Sequence, residues 1–351
     1  MTRMHTAIVK LFLIAGFLSS LPSPAEARRE MLTEAQKERL HHVERLAIEA
    51  LALTDQGTGD PATIRATVAS RLQRAGYTVV TDAAQPYDAT LKVKCEQRKT
   101  WEGTVRSGGE ADQPGAASRL WNGPACQLSY RLDQKWADWR HEVRGSEAQS
   151  GAQALGQLND RLADDAFPFL LAAEFGHTAR LMAALAQTET PLAHKTVIMT
   201  LLGNMSAVEA IPALSQAAQD REPTVAKTAV VALGTIGHHD CVPVLLERLK
   251  SENPAVHLAA IQGLGRLAPL HPESPIVPTL LETLPKETTA GQIEIVRALG
   301  KTTDRNILGP LRSLNRSVQA KSRVEGSPEL KELSTALGQA LDQFDGTHTP
   351  D

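Results

Sequence analysis

Residues 223–234 read PTVAKTAVVALG and residues 254–265 read PAVHLAAIQGLG, so the same proline, valine, alanine, leucine and glycine return after 31 positions. The Leu-Gly pair that ends this phrase also occurs at 202–203 and 299–300, which gives steps of 31, 31 and 35 residues. A phrase that returns at such a period indicates an internal structural repeat. The repeat therefore decides the fold of the C-terminal part of the chain.

Each repeat unit contains two segments in which apolar residues recur at steps of three, four and seven positions. Residues 207–219 and 223–236 show this pattern in one unit. Such spacing places the apolar side chains on one face of an α-helix. Because one helix pair cannot cover its own apolar face, stacked pairs are needed to form a continuous core. We therefore predict a mainly α protein with a C-terminal α-solenoid of helix pairs at residues 167–316.

The shared pattern, Pro-x-Val-x-x-x-Ala-x-x-Ala-Leu-Gly, is complete at residues 223–234 and returns at 254–265 with glycine as the last small residue before Leu-Gly. It resembles HEAT repeats in the short form known from phycobilisome-lyase-type proteins. The resemblance implies the solenoid fold. It is unspecific for function, because one fold serves many functions.

A polar ladder between units is a usual feature of this family, formed by an arginine directly after the valine. The equivalent positions of this chain hold Lys195, Ala226, His257 and Gln292. The resemblance therefore implies that the ladder is absent here, and that the units rely more on apolar packing.

Residues 1–27 are predicted to be a targeting segment, or signal peptide. A basic start precedes the unbroken apolar run Leu11–Leu18, and Ala25-Glu26-Ala27 offers a small-residue cleavage site. The run is shorter than the roughly 20 apolar residues that a bilayer-spanning helix needs. We therefore expect export, to a bacterial periplasm, with no membrane span in the mature chain.

Residues 28–166 differ in pattern from the repeats and are predicted to form a small α/β (α+β) domain. A capping box of Thr33 and Gln36 opens a helix that is expected to run to about Leu53. A second helix and four strands should follow, with the strands at 77–81, 89–96, 126–132 and 136–143, and then a helix at 147–162. This order favours helices on one face of a mainly antiparallel sheet.

Residues 317–351 are predicted to hold a polar loop, a final amphipathic helix over Leu330–Phe344, and a tail. The helix is a candidate cover for the open end of the solenoid, because terminal repeats need a polar outer face for solubility.

Three cysteines are informative in an exported chain, where disulfides can form. Cys95 and Cys126 each lie on a predicted strand, on either side of a glycine-rich loop. Two interpretations stay open at this point, namely a cross-strand disulfide or two separate buried thiols. Cys241 is left over and is expected to be a small buried hydrophobic residue.

The polar run His238-His239-Asp240-Cys241 contains side chains of types that bind metals. Metal sites usually draw their ligands from facing elements or from positions such as i and i+4, because adjacent side chains diverge. We interpret the run as a solvated turn, and predict no metal and no cofactor.

Catalytic motifs are missing from the sequence. It has no G-x-S-x-G, no phosphate-binding glycine loop and no H-E-x-x-H. HEAT-type metal-dependent hydroxylases carry several His-Glu pairs on their repeats, whereas this chain has one, His141-Glu142, outside them. No catalytic residue is therefore predicted.

Partner binding is predicted to involve protein and not nucleic acid, because the formal net charge is −3. In the family that the repeats resemble, the second helix of each pair usually lines the concave face. Its polar residues are the candidate contacts for an acidic segment of a partner. They are Lys195, Lys227, His257, Gln262, Arg266 and Arg297, with Gln292 and Lys301 beside them.

These observations predict an exported, non-enzymatic scaffold or adaptor that binds a protein partner through its solenoid. Two alternatives stay open. By analogy with the lyase-type proteins, the chain could be an enzyme or enzyme subunit that acts on a protein-bound cofactor. It could also bind a glycan or small ligand through the N-terminal domain, where Trp136 and Trp139 should face opposite sides of a strand.

Overall fold

The computed structural model describes residues 32–54, 56–82, 84–97, 124–133, 135–146, 150–323 and 325–345. The predicted targeting segment lies outside these residues. The chain divides into two compact units, Met1–Asp165 and Ala166–Asp351. Among the described residues, no helix is both long and apolar enough to span a bilayer.

The N-terminal unit is built on one mixed sheet. Its described strands are β1 (Arg45–Thr54), β2 (Gly57–Gly59), β3 (Thr78–Val80), β4 (Ala89–Glu96), β5 (Ala125–Leu132) and β6 (Lys135–Arg144). Their order in the sheet is β2-β1-β4-β5-β6, and β3 also pairs with β1. The strand β1 runs parallel to β3 and β4, and the other pairs are antiparallel.

Two long helices cover one face of this sheet. They are α2 (Ala62–Arg74) and α3 (Gly151–Asp164), which follow the short helix α1 (Glu34–Leu40). The helices pack against each other and against the strands. Apolar side chains that alternate along β4 and β5, such as Leu91 and Leu128, are fully buried. The residues between them are only half-buried and form the open face of the sheet, as is common where one side of a sheet faces water.

The predicted helix from Thr33 to Leu53 is wrong in its second half. The capping box of Thr33 and Gln36 is present, but the helix that it opens ends at Leu40. Residues 45–54 form β1 instead, and eight of them pair with β4. The residues Leu and Ala of this segment suit a helix by local preference, but pairing with a neighbouring strand overrides such a preference.

The C-terminal unit consists of helices in two layers. One layer, the A helices, comprises α5 (Thr178–Ala186), α7 (Ile211–Ala217), α9 (Val242–Arg248), α11 (Ile276–Thr283) and α13 (Leu308–Ser322). The other layer, the B helices, comprises α6 (Leu192–Asn204), α8 (Pro223–Ile236), α10 (Pro254–Leu267), α12 (Thr289–Leu299) and α14 (Pro328–Asp345). The short helix α4 (Phe167–Glu174) precedes them and packs on α5 and α6.

The B helices pack side by side in chain order, and each A helix packs on the B helix that follows it. Local chemistry sets the starts and ends of these helices. At the start of α10, the Asn253 side chain accepts hydrogen bonds from the backbone N–H groups of Ala255 and Val256, and Pro254 occupies the first turn. At the end of α8, Gly237 adopts a φ of 72° in the left-handed region.

The Leu-Gly phrases lie where adjacent B helices touch. The leucines Leu202, Leu233, Leu264 and Leu299 are fully buried in one continuous core. Each following glycine faces the next B helix. A Cβ atom added to Gly234 would lie 2.6 Å from the Cα of Gly263, and Gly203, Gly265 and Gly300 meet Ala232, Ala298 and Ala340 in the same way. The repeated glycine therefore permits a backbone-to-backbone approach that a side chain would block.

The C-terminal end differs from the prediction in one respect. The helix α13 continues to Ser322, although a polar loop was expected from residue 317. Leu311 and Val318 are buried on one side of this helix, so a largely polar sequence still supplies an apolar stripe. The last helix, α14, packs on α12 and α13. It buries Leu337 and Ala340, whereas Asp342 is exposed.

The glycine contact between α8 and α10 can be tested with two substitutions, one at the contact and one away from it, that should change the free energy of unfolding in opposite directions. Gly234→Ala should lower the free energy of unfolding by about 1–3 kcal/mol, because the new methyl group overlaps the backbone of α10. Gly338→Ala in α14 should raise it by about 0.4–1 kcal/mol, because a Cβ there meets nothing within 4 Å and alanine restricts the unfolded chain. Urea denaturation of both variants measures the difference, and a stabilising Gly234→Ala would show that α8 and α10 are farther apart.

The buried leucines give a second test. Leu233→Ala should lower the free energy of unfolding by about 2–5 kcal/mol, because Leu233 is fully buried and its loss leaves a cavity in the core. The control is Leu270→Ala. Since Leu270 is 62% exposed, its truncation should stay within about 0.5 kcal/mol. Equal effects of the two substitutions in the same denaturation experiment would contradict the register of the repeats.

Candidate functional site

The exposed side of the B helices is the surface that the sequence singled out for partner binding. We call it the B-helix face and define it by Lys227 on α8, Gln262 and Arg266 on α10, Arg297 on α12, and Lys301 just after α12. All five side chains are exposed. Arg266 and Lys301 occupy equivalent positions in successive units, one residue after the close-packed glycine. The repeat thus brings cationic side chains to matching places on neighbouring helices.

Three cations of this face form no ion pair in the part of the chain that the structure describes. Among the described residues, Lys227, Arg266 and Lys301 belong to no ion pair within 4.0 Å, and Arg266 donates a hydrogen bond of 3.1 Å to the Thr235 hydroxyl on α8. Their positive charges are therefore available to an outside group.

Polar bridges connect the remaining part of the face from helix to helix. Gln262 donates to Glu294 at 3.3 Å, which links α10 to α12. Arg297 contacts the same Glu294 at 3.0 Å and reaches Glu332 on α14 at 2.8 Å. Gln262 and Arg297 thus already have polar partners within the solenoid. They are weaker candidates for binding another protein than the three cations without an ion pair.

Two predicted contact residues do not lie on this face as expected. His257 is largely buried between units, where Nδ1 lies 2.6 Å from the Leu249 carbonyl oxygen and Nε2 lies 2.9 Å from Glu287 Oε1. Both ring nitrogens thus face acceptors, and the ring joins the end of α9 to the residue before the α12 N-cap. Lys195 on α6 is half-buried. The sequence pattern could not distinguish these two positions from exposed ones. It predicts which face of a helix a residue lies on, but not which side chains of neighbouring elements cover that residue.

The turn between α8 and α9 brings polar side chains together. His238 Nδ1 lies 3.3 Å from one carboxylate oxygen of Asp240, and His239 Nε2 lies 3.0 Å from the other. The expectation that these adjacent side chains diverge is wrong. His238 is the N-cap of a 3₁₀ turn, and its Nδ1 accepts a hydrogen bond of 3.4 Å from the Asp240 backbone N–H, which brings the ring close to Asp240. Cys241 is buried, which raises the pKa of its thiol to about 11.

The N-terminal unit contains a disulfide between Cys95 and Cys126. The two residues are direct partners in the register of β4 and β5, with their Cα atoms 3.9 Å apart, and both are fully buried. Of the two interpretations left open by the sequence, the structure contains the bridge. Its two half-cystines hold the strands together where the chain leaves β4 and returns to β5.

Trp136 lies on the open face of the sheet and is 42% exposed. Lys92 and Arg131 place their charged groups 5.3 and 5.4 Å from the centre of its ring. Trp139 lies on the covered side, where its ring is 6.0 Å from that of Tyr130. Trp101 and Trp121 lie outside the described residues.

A pocket of the N-terminal unit lies beside α1 and the end of β5, and its lining includes Arg39, Asp88, Arg131 and Asp133. Arg39 donates to both carboxylate oxygens of Asp133, at 2.8 and 3.0 Å. These hydrogen bonds and the guanidinium charge hold the pKa of Asp133 below its usual range. Asp88 accepts from the backbone N–H groups of Glu44 and Arg45. Arg39, Asp133 and Asp88 thus have partners within this unit, whereas the buried Nε of Arg131 has no hydrogen-bond partner among the described residues.

Comparison with known proteins identifies the repeats. The family model for HEAT repeats matches residues 178–265 and 211–283. Residues 178–283 are HEAT repeats. No curated protein matches the chain.

Solved structures show more distant likenesses. The crystal structure of an engineered protein is 19% identical with a TM-score of 0.34, and the match covers 52% of this chain and 85% of that one. Human deoxyhypusine hydroxylase in complex with glycerol is 18% identical with a TM-score of 0.26, over 57% of this chain and 86% of that one. At these scores neither likeness bears on function.

Polar side chains contact the carbonyl groups at the ends of the A helices, both within and between the HEAT units. His257 bonds the Leu249 carbonyl at the end of α9, and Gln292 donates to the Leu284 carbonyl at the end of α11. One unit has Ala226 at the position of His257 and Gln292. In that unit the equivalent carbonyl belongs to Ala218, and Arg248 of the next A helix lies 3.5 Å from it. Of these contacts, that of Arg248 with Ala218 links one repeat unit to the next, and His257 adds a second link through Glu287 of the following unit.

The cysteines give a chemical test. Under denaturing conditions without reductant, a thiol reagent should titrate one group per chain, Cys241, and reduction should raise the count to three. In the native protein Cys241 should stay unreactive at neutral pH, because its thiol is buried and protonated. Three titratable thiols without reductant would contradict the bridge. Cys95→Ser with Cys126→Ser should lower the free energy of unfolding by about 2–4 kcal/mol.

Proposed function

We propose that this protein is an exported, non-enzymatic scaffold whose HEAT repeats bind an acidic segment of a protein partner across the B-helix face. The observation that carries the proposal is a set of three exposed cations, Lys227, Arg266 and Lys301, which form no ion pair within 4.0 Å with any residue that the structure describes. The absence of catalytic motifs from the sequence supports a binding role, and the basic, apolar and small-residue pattern of residues 1–27 supports export.

The spacing of these cations favours an extended partner segment. Neighbouring helices in such stacks have axes about 8–10 Å apart, so Arg266 and Lys301, at equivalent positions on successive units, should be separated by about that distance. A segment in the polyproline II conformation advances about 3.1 Å per residue with three residues per turn. Carboxylates three residues apart would then lie on the same side of the partner segment, about 9 Å apart, and would meet the two cations in turn. Lys227 lies about two helical turns before Thr235, which occupies on α8 the position that Arg266 occupies on α10. It would bind a carboxylate to one side of the line that joins Arg266 and Lys301.

Charge reversal on the face tests the proposal in intact host cells, by crosslinking followed by mass spectrometry. The variant Lys227→Glu, Arg266→Glu, Lys301→Glu should lose partners that the native chain captures, because like charges now face the acidic segment. The matched control is Arg221→Glu, Lys250→Glu, Arg305→Glu, which makes the same change in net charge at exposed positions outside the B-helix face. Since exposed charges are screened by salt, native capture should also weaken as ionic strength rises.

Two outcomes would contradict parts of the proposal. Partners that remain bound to the face variant, and to a chain lacking residues 177–316, would move the binding to the N-terminal unit and its exposed Trp136. A protein that keeps residues 1–27 in fractionated cells would contradict export, since cleavage is expected before Arg28.

A further inference from the structure

The turn between α8 and α9 gathers two imidazoles and a carboxylate at one point. One donor atom from each of His238, His239 and Asp240 lies within 4.8 Å of the other two. Among the described residues this is the single group of three or more such side chains with its donor atoms so close together. We propose that these three residues bind one divalent transition-metal ion on the surface of the HEAT solenoid.

The distances fit a shared metal ion. Zinc binds imidazole nitrogen at about 2.0–2.1 Å and carboxylate oxygen at about 2.0–2.2 Å, so neighbouring ligands of a tetrahedral site are about 3.3–3.5 Å apart. The His238–Asp240 pair is 3.3 Å apart and the His239–Asp240 pair 3.0 Å. All three donor atoms lie within 4.8 Å of one another, and His238 Nδ1 also accepts a hydrogen bond of 3.4 Å from the Asp240 backbone N–H. Bringing the three donors around one ion through this nitrogen therefore needs side-chain rotation that gives up this weak hydrogen bond.

The backbone of the turn is fixed before any ion binds. Gly237 ends α8 in the left-handed region, and the backbone N–H of Cys241 donates to the His238 carbonyl. From the next unit, His271 Nε2 bonds the Gly237 carbonyl at 2.8 Å, and its ring centre lies 6.3 Å from that of His239. This contact ties the turn to the neighbouring repeat, and an oriented backbone reduces the cost of bringing the ligands together.

The donor set selects the class of metal. Imidazole suits zinc, copper, nickel and iron, whereas magnesium and calcium prefer sites made only of oxygen ligands. Asp240 contributes the negative charge that a cation needs beside the positive end of the α9 helix dipole. Cys241 is fully buried and lies outside the group of close donor atoms. Since His239 and Asp240 are exposed, coordination positions stay open to water or to a partner side chain.

Calorimetric titration of the untagged full chain with zinc chloride tests the site. The native protein should bind one equivalent of zinc, and His239→Gln or Asp240→Asn should each weaken that binding at least about tenfold, the smallest loss seen even for residues that only support a ligand. The matched control is His41→Gln with His42→Gln. It removes the other adjacent histidine pair, which is also exposed but has no carboxylate grouped with it, and should leave the affinity unchanged.

A second measurement on the native chain keeps the test independent of any variant. Substoichiometric Cu²⁺ should broaden the amide resonances of residues 237–241 first in a ¹⁵N-labelled sample, because paramagnetic broadening falls steeply with distance. Earlier broadening around His41 and His42 would overturn the proposal. So would zinc binding by the native chain no tighter than by a folded His238→Gln, His239→Gln, Asp240→Asn variant.

Discussion

The close approach of the B helices is the constraint on which the repeat unit depends. Gly234 and Gly263 meet with no side chain between their backbones, and three further glycines meet alanines of the next helix. Glycine inside a helix costs roughly 0.5–1 kcal/mol relative to alanine, and contacts between the buried leucines on either side offset that cost. The approach also fixes the register of the stack. Equivalent positions of successive units, such as Thr235 and Arg266, are thereby brought close enough to bond.

The repeat unit was predictable from the sequence because its information is local and recurs. The phrase ending in Leu-Gly predicts both the buried leucine and the small residue beside it, and the prolines and Asn253 mark where helices begin. In the N-terminal unit the information is not local. Residues 45–54 carry alanine and leucine at spacings that suit a helix or a strand, and pairing with β4, more than 30 residues away, decides between them. The polar helix end at 317–322 was missed because two buried residues suffice to hold it.

The residues of the candidate sites also divide into those that local sequence predicts and those that depend on distant parts of the chain. Lys227 and Arg266 were predictable, because exposure on a helix follows from its period. The role of His257 was not, since it depends on Leu249 and Glu287 in two other elements. The grouping of His238, His239 and Asp240 was also missed. Neighbouring side chains diverge in regular helices and strands, whereas the N-cap of this 3₁₀ turn directs the His238 side chain toward the backbone N–H two residues ahead. Sequence patterns thus identify faces, and turn geometry decides which side chains meet.

Ala340, which receives Gly300 of α12, is followed by Leu341 and Asp342. In α8, α10 and α12, one residue contacts the glycine of the preceding B helix. Two positions after it comes the glycine that packs against the next B helix. Asp342 therefore stands, exposed, where a sixth B helix would need backbone contact. Burying an unpaired carboxylate there would be strongly unfavourable. A further helix pair that docked on α14 in this geometry, whether from the same chain or from a second molecule, would have to bury this charge.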